Sequence, residues 1–210
     1  MELTTERLEA FSDAVIAVIV TILALELDPP ESTLKADVYK AIPPLLVYVL
    51  AFVYLAIWWN NHHHLFRATE RINGAVMWAN MALLFFLSLI PVATQWVSRV
   101  KIDESGSPSA FFGVVSLAAA IAYTILVRMI VRANGPESLV ARSLQGNTKG
   151  NVSLLLYIAA IVGAAVTRTG YLSFALYAAV AIIWLIPDRR FTKDARDGGT
   201  SSSSAPGHAV

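Results

Sequence analysis

Three short runs of polar side chains interrupt an otherwise apolar sequence, and their residue types could pair charges, relay protons or bind a metal. The first is Arg7, Ser12 and Asp13; the second is Asn60, Asn61, His62, His63 and His64; the third is Asn73 and Asn80. A carboxylate at the centre of a membrane helix costs about 3 kcal/mol or more, so it pairs with a partner or faces water. Asp13, with Ser12 beside it, lies about one turn inside an apolar span, so it is either paired and buried or interfacial. The paired reading predicts a hydrogen-bonded network joining Asp13, Arg7, one histidine and Asn80. Asn73 and Asn80, seven residues apart, share a helix face that Ser88 and Gln95 continue. Imidazole titrates near neutral pH, which makes a structural or proton-sensitive histidine the favoured role. A metal centre on the three histidines is disfavoured, because consecutive helical residues point about 100° apart and cannot converge on one ion. The chain has no Cys, which excludes disulfides, thiolate metal sites and a cysteine nucleophile. It also has no Walker loop, nucleophile elbow or H-E-x-x-H. The sequence therefore reads as non-enzymatic, with no cofactor and no structural metal.

The elements that must position these residues follow from composition. Of 210 residues, 56% are hydrophobic and 15% charged, whereas soluble domains carry about 25% charged residues. That apolar excess is too large for one globular core and implies an all-α, polytopic membrane protein. A net charge of +1 gives no field for nucleic acid. A helix needs roughly 20 apolar residues to cross a bilayer. Six stretches are read as spans: 10–27, 42–60, 74–96, 111–131, 152–166 and 171–186. The last two are short and form a tight hairpin about residues 167–170. Pro29 and Pro30 stop the first span, and Pro43 and Pro44 lie near the start of the second. Pro91 kinks the third and Pro187 ends the sixth. Residues 1–190 form the six-helix domain, and residues 191–210, with serines at 201–204, form a disordered cytoplasmic tail. Glu2, Glu6 and Glu9 crowd the first span's flank, so it reads as a retained helix rather than a signal peptide. With the N-terminus inside, 11 of the 16 Lys and Arg residues face the cytoplasm and 5 face outward. That bias supports an N-in, C-in topology.

The first span carries two adjacent stripes. Ala10, Ala14, Ala17, Thr21 and Ala24 form a small-residue stripe that lets a neighbouring helix approach closely. Val18, Ile22 and Leu25 form an apolar seam next to it. Such a seam meets lipid or another helix, or, on a symmetry axis, forms stacked apolar rings. Glu26, Asp28 and Glu31 follow the span, and a symmetric ring of these acids would concentrate cations at a mouth. Gly113, Ser116 and Ala120, and likewise Ala159, Gly163 and Ala164, have the spacing of packing faces. A T-V-G-Y-G carbonyl filter is absent.

The run Arg7-x-x-x-Phe11-Ser12-Asp13 at the head of a membrane helix resembles the signature of the transmembrane protein 175 family of potassium channels. Further matches are Trp59, Asn60, Asn61, His62, His63, Leu65 and Phe66 after the second span, and Asn80 with Pro91 in the third. Which of His62, His63 and His64 answers to the family's histidine is left open. The resemblance implies a single six-helix unit that assembles as a homotetramer in the inner (cell) membrane, in contact with lipid and conducting potassium. It implies that the first helix lines a central pore, with Val18 at a constriction and Thr21 contributing to selectivity. Ile22 and Leu25 continue the lining, and the Arg7–Asp13 network anchors the helix. Val18 is smaller than the Ile or Leu usual at the constriction. The alternative is a secondary or proton-coupled transporter using the Asp13/His network. Transporters are commonly built from repeated halves, and no second R-x-x-x-F-S-D occurs here.

Overall fold

A chain that is apolar over long runs satisfies its backbone internally by coiling into helices. The computed structural model describes residues 4–30, 32–143 and 148–186, and every regular element among them is helical. The elements are α1 (Thr5–Leu25), α2 (Lys35–Arg67), α3 (Gly74–Ser88), α4 (Ile90–Ser98), α5 (Gly106–Asn134), α6 (Leu139–Ser143), α7 (Thr148–Thr167) and α8 (Tyr171–Leu185). Five stretches are long and apolar enough to cross a membrane: α1, α2, α3 with α4, α5 and α7. The last helix, α8, is apolar but has only 15 residues, about 22 Å of helix against a hydrocarbon core of about 30 Å. The expected disordered tail, 191–210, lies outside the described residues, as does Pro187.

The second helix departs most from the sequence reading, extending well past the expected 42–60 at both ends. It begins at Lys35, so Pro43 and Pro44 lie well inside its 33 residues rather than near its start. The third span kinks as expected: Leu89, the junction of two helical segments, keeps helical dihedrals, and Gly74–Ser98 remains one membrane-length helical stretch. Leu89 ends α3 and starts α4, with Pro91 in the first turn of α4, where a missing N–H is tolerated. The tight hairpin between α7 and α8 is present. Arg168 carries a left-handed φ of 58° there, and Gly170 N–H donates to the Ile102 carbonyl at 2.7 Å. The hairpin is thereby tied to the α4–α5 connection. Gly135, with φ 91°, ends α5 in a conformation that a side chain would strain.

The helices pack in a chain of neighbours: α3 on α5, α5 on α7 and α7 on α8, while α1 lies against α2, α3 and α4. An aromatic cluster fills the middle. Phe112 of α5 meets Tyr54 of α2 edge-on at 5.8 Å and Tyr177 of α8 at 5.2 Å. Two of the buried tyrosine hydroxyls are satisfied by backbone: Tyr177 donates to the Ser109 carbonyl at 2.8 Å and Tyr54 to the Tyr177 carbonyl at 2.9 Å. Gly113 of α5 leaves room for Tyr177 of α8, because a Cβ there would collide with the Tyr177 hydroxyl. Ser116, one turn on, is fully buried.

Candidate functional site

The first helix divides cleanly into two faces. Leu8, Ser12, Ile16, Ile19 and Leu23 recur every three or four residues and are buried against the other helices. The opposite side is uncovered in the protomer. Val18 is 56% exposed, Ile22 42% and Leu25 84%. Thr21 is exposed between them, its hydroxyl donating to the Val18 carbonyl at 2.8 Å. Phe11 and the small residues Ala10, Ala14, Ala17 and Ala24 also lie on the uncovered side. The apolar seam and the small-residue stripe singled out by spacing thus share one free surface.

The covered face is held by a buried polar chain across three helices. Ser12 donates to the Leu8 carbonyl at 2.8 Å. Asn80 of α3 donates through Nδ2 to Ser12 Oγ at 2.8 Å, and its Oδ1 lies 2.8 Å from His62 Nε2 of α2. With the Asn80 amide so placed, Oδ1 accepts and His62 Nε2–H donates. All three side chains are fully buried, and His62 stacks on Phe66 with ring centres 4.4 Å apart. A buried polar group without a partner costs about 1–3 kcal/mol, so this chain of bonds fixes how α1 seats on α2 and α3.

Asp13 sits beside this chain, half-buried. Trp59 Nε1 donates to its Oδ1 at 3.1 Å. The Trp59 ring stacks on His63 at 5.6 Å and 19°. His63 Nδ1 in turn lies 2.9 Å from Glu9 Oε1, close enough for an ion pair. The histidine left open by the sequence is therefore resolved into two roles: His62 bonds Asn80, and His63 faces the carboxylates. The expected single network is two adjacent ones. Arg7 joins neither, since its side chain is exposed and it makes no hydrogen bond or ion pair among the described residues. The reason is helical phase: Arg7 precedes the buried Leu8 by one residue and points away from the α2–α3 seat.

The shared face expected for Asn73 and Asn80 is not used as one surface. Asn80 is buried, whereas Asn73 caps α3 by accepting from Val76 N–H at 3.0 Å. Ser88 is exposed and Gln95 half-buried, so neither continues the buried side of Asn80. At the far end of α1, Glu26 is half-buried and Asp28 exposed; Glu31 lies outside the described residues. Spacing missed two contributors, Glu9 and Asn134. Asn134 Oδ1 accepts from the Glu70 and Arg71 backbone at 3.1 and 2.8 Å, so the end of α5 holds the α2–α3 turn. A signal for Glu9 was present: it stands four residues before Asp13, on the same helix face.

Comparison with known proteins shows the family. Residues 7–91, which include the Ser12–Asn80–His62 chain, match the family model described as "Endosomal/lysosomal potassium channel TMEM175". A Chryseobacterium protein named as a potassium channel is 40% identical over 195 residues, covering 93% of this chain and 100% of that one. A Streptomyces collinus protein, also named as a potassium channel, is 29% identical over 126 residues, covering 57% of this chain and 61% of that one. The human protein named "Endosomal/lysosomal proton channel TMEM175" is 32% identical over 108 residues, 46% of this chain and 21% of that one. The crystal structure of a TMEM175 homolog from Chamaesiphon minutus, titled a lysosomal potassium-selective channel, superposes with a TM-score of 0.75 at 23% identity. The match covers 86% of this chain and 96% of that one. The chain is a multi-pass membrane protein that belongs to the TMEM175 family, a family of ion channels and not of enzymes.

Proposed function

We infer that this protein is a potassium-permeable cation channel whose pore is lined by α1. The observation that carries the reading is the uncovered face of α1, where Val18, Thr21, Ile22 and Leu25 remain exposed while the other side of the same helix is buried. An apolar seam on a helix end-to-end with the bilayer is explained by either lipid or a symmetric partner. Two features favour the partner: the hydroxyl of Thr21 within the seam, and the small-residue stripe that permits close helix approach. The relatives named as potassium channels support potassium as the permeant ion.

Four copies arranged with α1 at the axis would stack Val18, Ile22 and Leu25 into apolar rings. Such a constriction gates by dewetting, and Thr21 hydroxyls would contact a partly hydrated ion. The Ser12–Asn80–His62 chain holds each pore helix against α2 and α3. Six spans with both termini inside, α8 being the sixth, fit the Lys and Arg distribution in an inner membrane. Glu26 and Asp28 would then ring the outer mouth and concentrate cations.

Recording from the purified protein in a planar bilayer with unequal potassium and sodium tests this. Unitary currents with a reversal potential displaced toward that of potassium are expected. Slow, saturable flux without unitary currents would overturn the channel in favour of a carrier.

A further inference from the structure

The two networks at the Thr5 end of α1 differ in chemistry. The buried chain of Ser12, Asn80 and His62 is built from a hydroxyl, an amide and an imidazole. The outer group brings two half-buried carboxylates and a half-buried imidazole together. Glu9, Asp13 and His63 each offer one ligand atom, and the three atoms lie within 4.8 Å of one another. We propose that these three side chains form a binding site for a divalent transition-metal cation of the Zn²⁺ class, joining α1 to α2.

The geometry supplies what such an ion needs. Glu9 and Asp13 are four residues apart on α1, so their carboxylates stand on one face, one turn apart. His63 approaches from α2. Its Nδ1 is screened from solvent and makes no hydrogen bond of good geometry, although Glu9 Oε1 is 2.9 Å away. The imidazole nitrogen thus stands beside the carboxylates without being committed to either by a hydrogen bond. Trp59 fixes the surroundings by bonding Asp13 through Nε1 and stacking on the His63 ring. Partners of that kind orient metal ligands and tune their affinity. The side chains of His63 and Glu9 are 31% and 18% exposed, so the site is reachable from water yet shielded enough to strengthen charge attraction.

The donor set selects the ion. One imidazole nitrogen and two carboxylate oxygens suit Zn²⁺, at about 2.0–2.2 Å, with water in a fourth position. Mg²⁺ prefers an octahedron of oxygens and keeps its waters, so it competes poorly. Tetrahedral ligands at those lengths stand about 3.3 Å apart, so the carboxylates need only rotate inward. This site does not use the three consecutive histidines on one ion. It draws its carboxylates from a second helix, which spacing along α2 does not reveal.

The test uses the full chain in detergent, freed of metal with a chelator and titrated with Zn²⁺ against a fluorescent zinc indicator. The expected result is saturable binding of one Zn²⁺ per chain, unaffected by excess Mg²⁺. Glu9→Gln and His63→Gln should each weaken it by about tenfold or more, whereas His64→Gln and His208→Gln should not. Zn²⁺ should also raise the thermal unfolding midpoint of the unmodified chain and leave that of the Glu9 and His63 variants unmoved. The zinc-free midpoint reports whether each variant is folded, and the two variants lie on different helices. Absence of saturable binding would overturn the proposal. So would binding that survives both Glu9→Gln and His63→Gln, or that is lost with His64 or His208 instead.

Discussion

Asn80 of α3 donates a 2.8 Å hydrogen bond to Ser12 of α1 across 68 residues of sequence. Both side chains are fully buried, and Asn80 uses its remaining oxygen on His62 of α2. One amide therefore locks three helices in register, and the lock lies on the face of α1 opposite Val18 and Leu25.

Removing that amide should destabilise the protein more than removing the hydroxyl. Asn80→Ala leaves His62 Nε2 without its partner and takes from Ser12 Oγ its donor, Ser12 keeping only the Leu8 carbonyl, and a buried orphaned group costs about 1–3 kcal/mol. Ser12→Ala orphans only one amide hydrogen. Thermal unfolding in detergent should rank the midpoints as unmodified chain, then Ser12→Ala, then Asn80→Ala. Equal midpoints for the unmodified chain and Asn80→Ala would remove the lock.

A second prediction concerns the α5–α8 contact. The Cβ introduced by Gly113→Ala would collide with the Tyr177 hydroxyl and stand 2.7 Å from Ile161 Cγ1. Overpacking of this kind costs about 1–3 kcal/mol. Tyr177→Phe alone loses the bond to the Ser109 carbonyl, about 1 kcal/mol. The double variant should be more stable than the sum of the two losses implies, because the first clash disappears with the hydroxyl. Strict additivity in the unfolding midpoints would show that α5 and α8 do not touch there.

Much of this was legible in the sequence. The spacing of α1 picks out the seam of Val18, Ile22 and Leu25 beside the small-residue stripe, but the opposite side, with Leu8, Ile16 and Ile19, is as apolar, and only packing shows that it is the buried one. What period cannot give is the partner across space. His62 and His63 are adjacent in sequence, and only the rotation of α2 against α3 decides that His62 meets Asn80 and His63 meets Glu9. Arg7 illustrates the same limit, since membership of a motif does not fix which way a flanking side chain turns. Pro91 announces the kink beside Leu89, and the helix continues past it because Ala93 N–H finds the Leu89 carbonyl at 3.0 Å. The start of α2 was hidden because 35–41 mixes charged and apolar residues and passes for a loop.

Selectivity and gating should separate at Thr21 and Val18. Thr21→Ala removes the hydroxyl facing the proposed ion path and should reduce the preference for potassium over sodium, read as a shift in reversal potential. Val18→Asn should raise unitary conductance, because a polar ring wets more readily than an apolar one. No change in either variant would take these residues out of the pore.

The acids past α1 should matter only when salt is scarce. Glu26→Gln with Asp28→Asn should lower inward current at about 0.01 M salt, where the Debye length is about 30 Å, and have little effect at about 1 M, where it is about 3 Å. A loss that is independent of ionic strength would point to a structural role for the half-buried Glu26.

The pore claim itself is most directly tested by chemical access to α1. Because the chain contains no Cys, a single introduced thiol is an unambiguous target. Leu25→Cys, Ile22→Cys and Ile19→Cys would each be reconstituted and exposed to a positively charged thiol reagent during current recording. Leu25 and Ile22 lie on the uncovered face and Ile19 is 3% exposed. Modification at positions 25 and 22 is expected to reduce current, with position 19 unaffected. Current that is untouched at 22 and 25, or reduced only at 19, would contradict a pore lined by this face of α1.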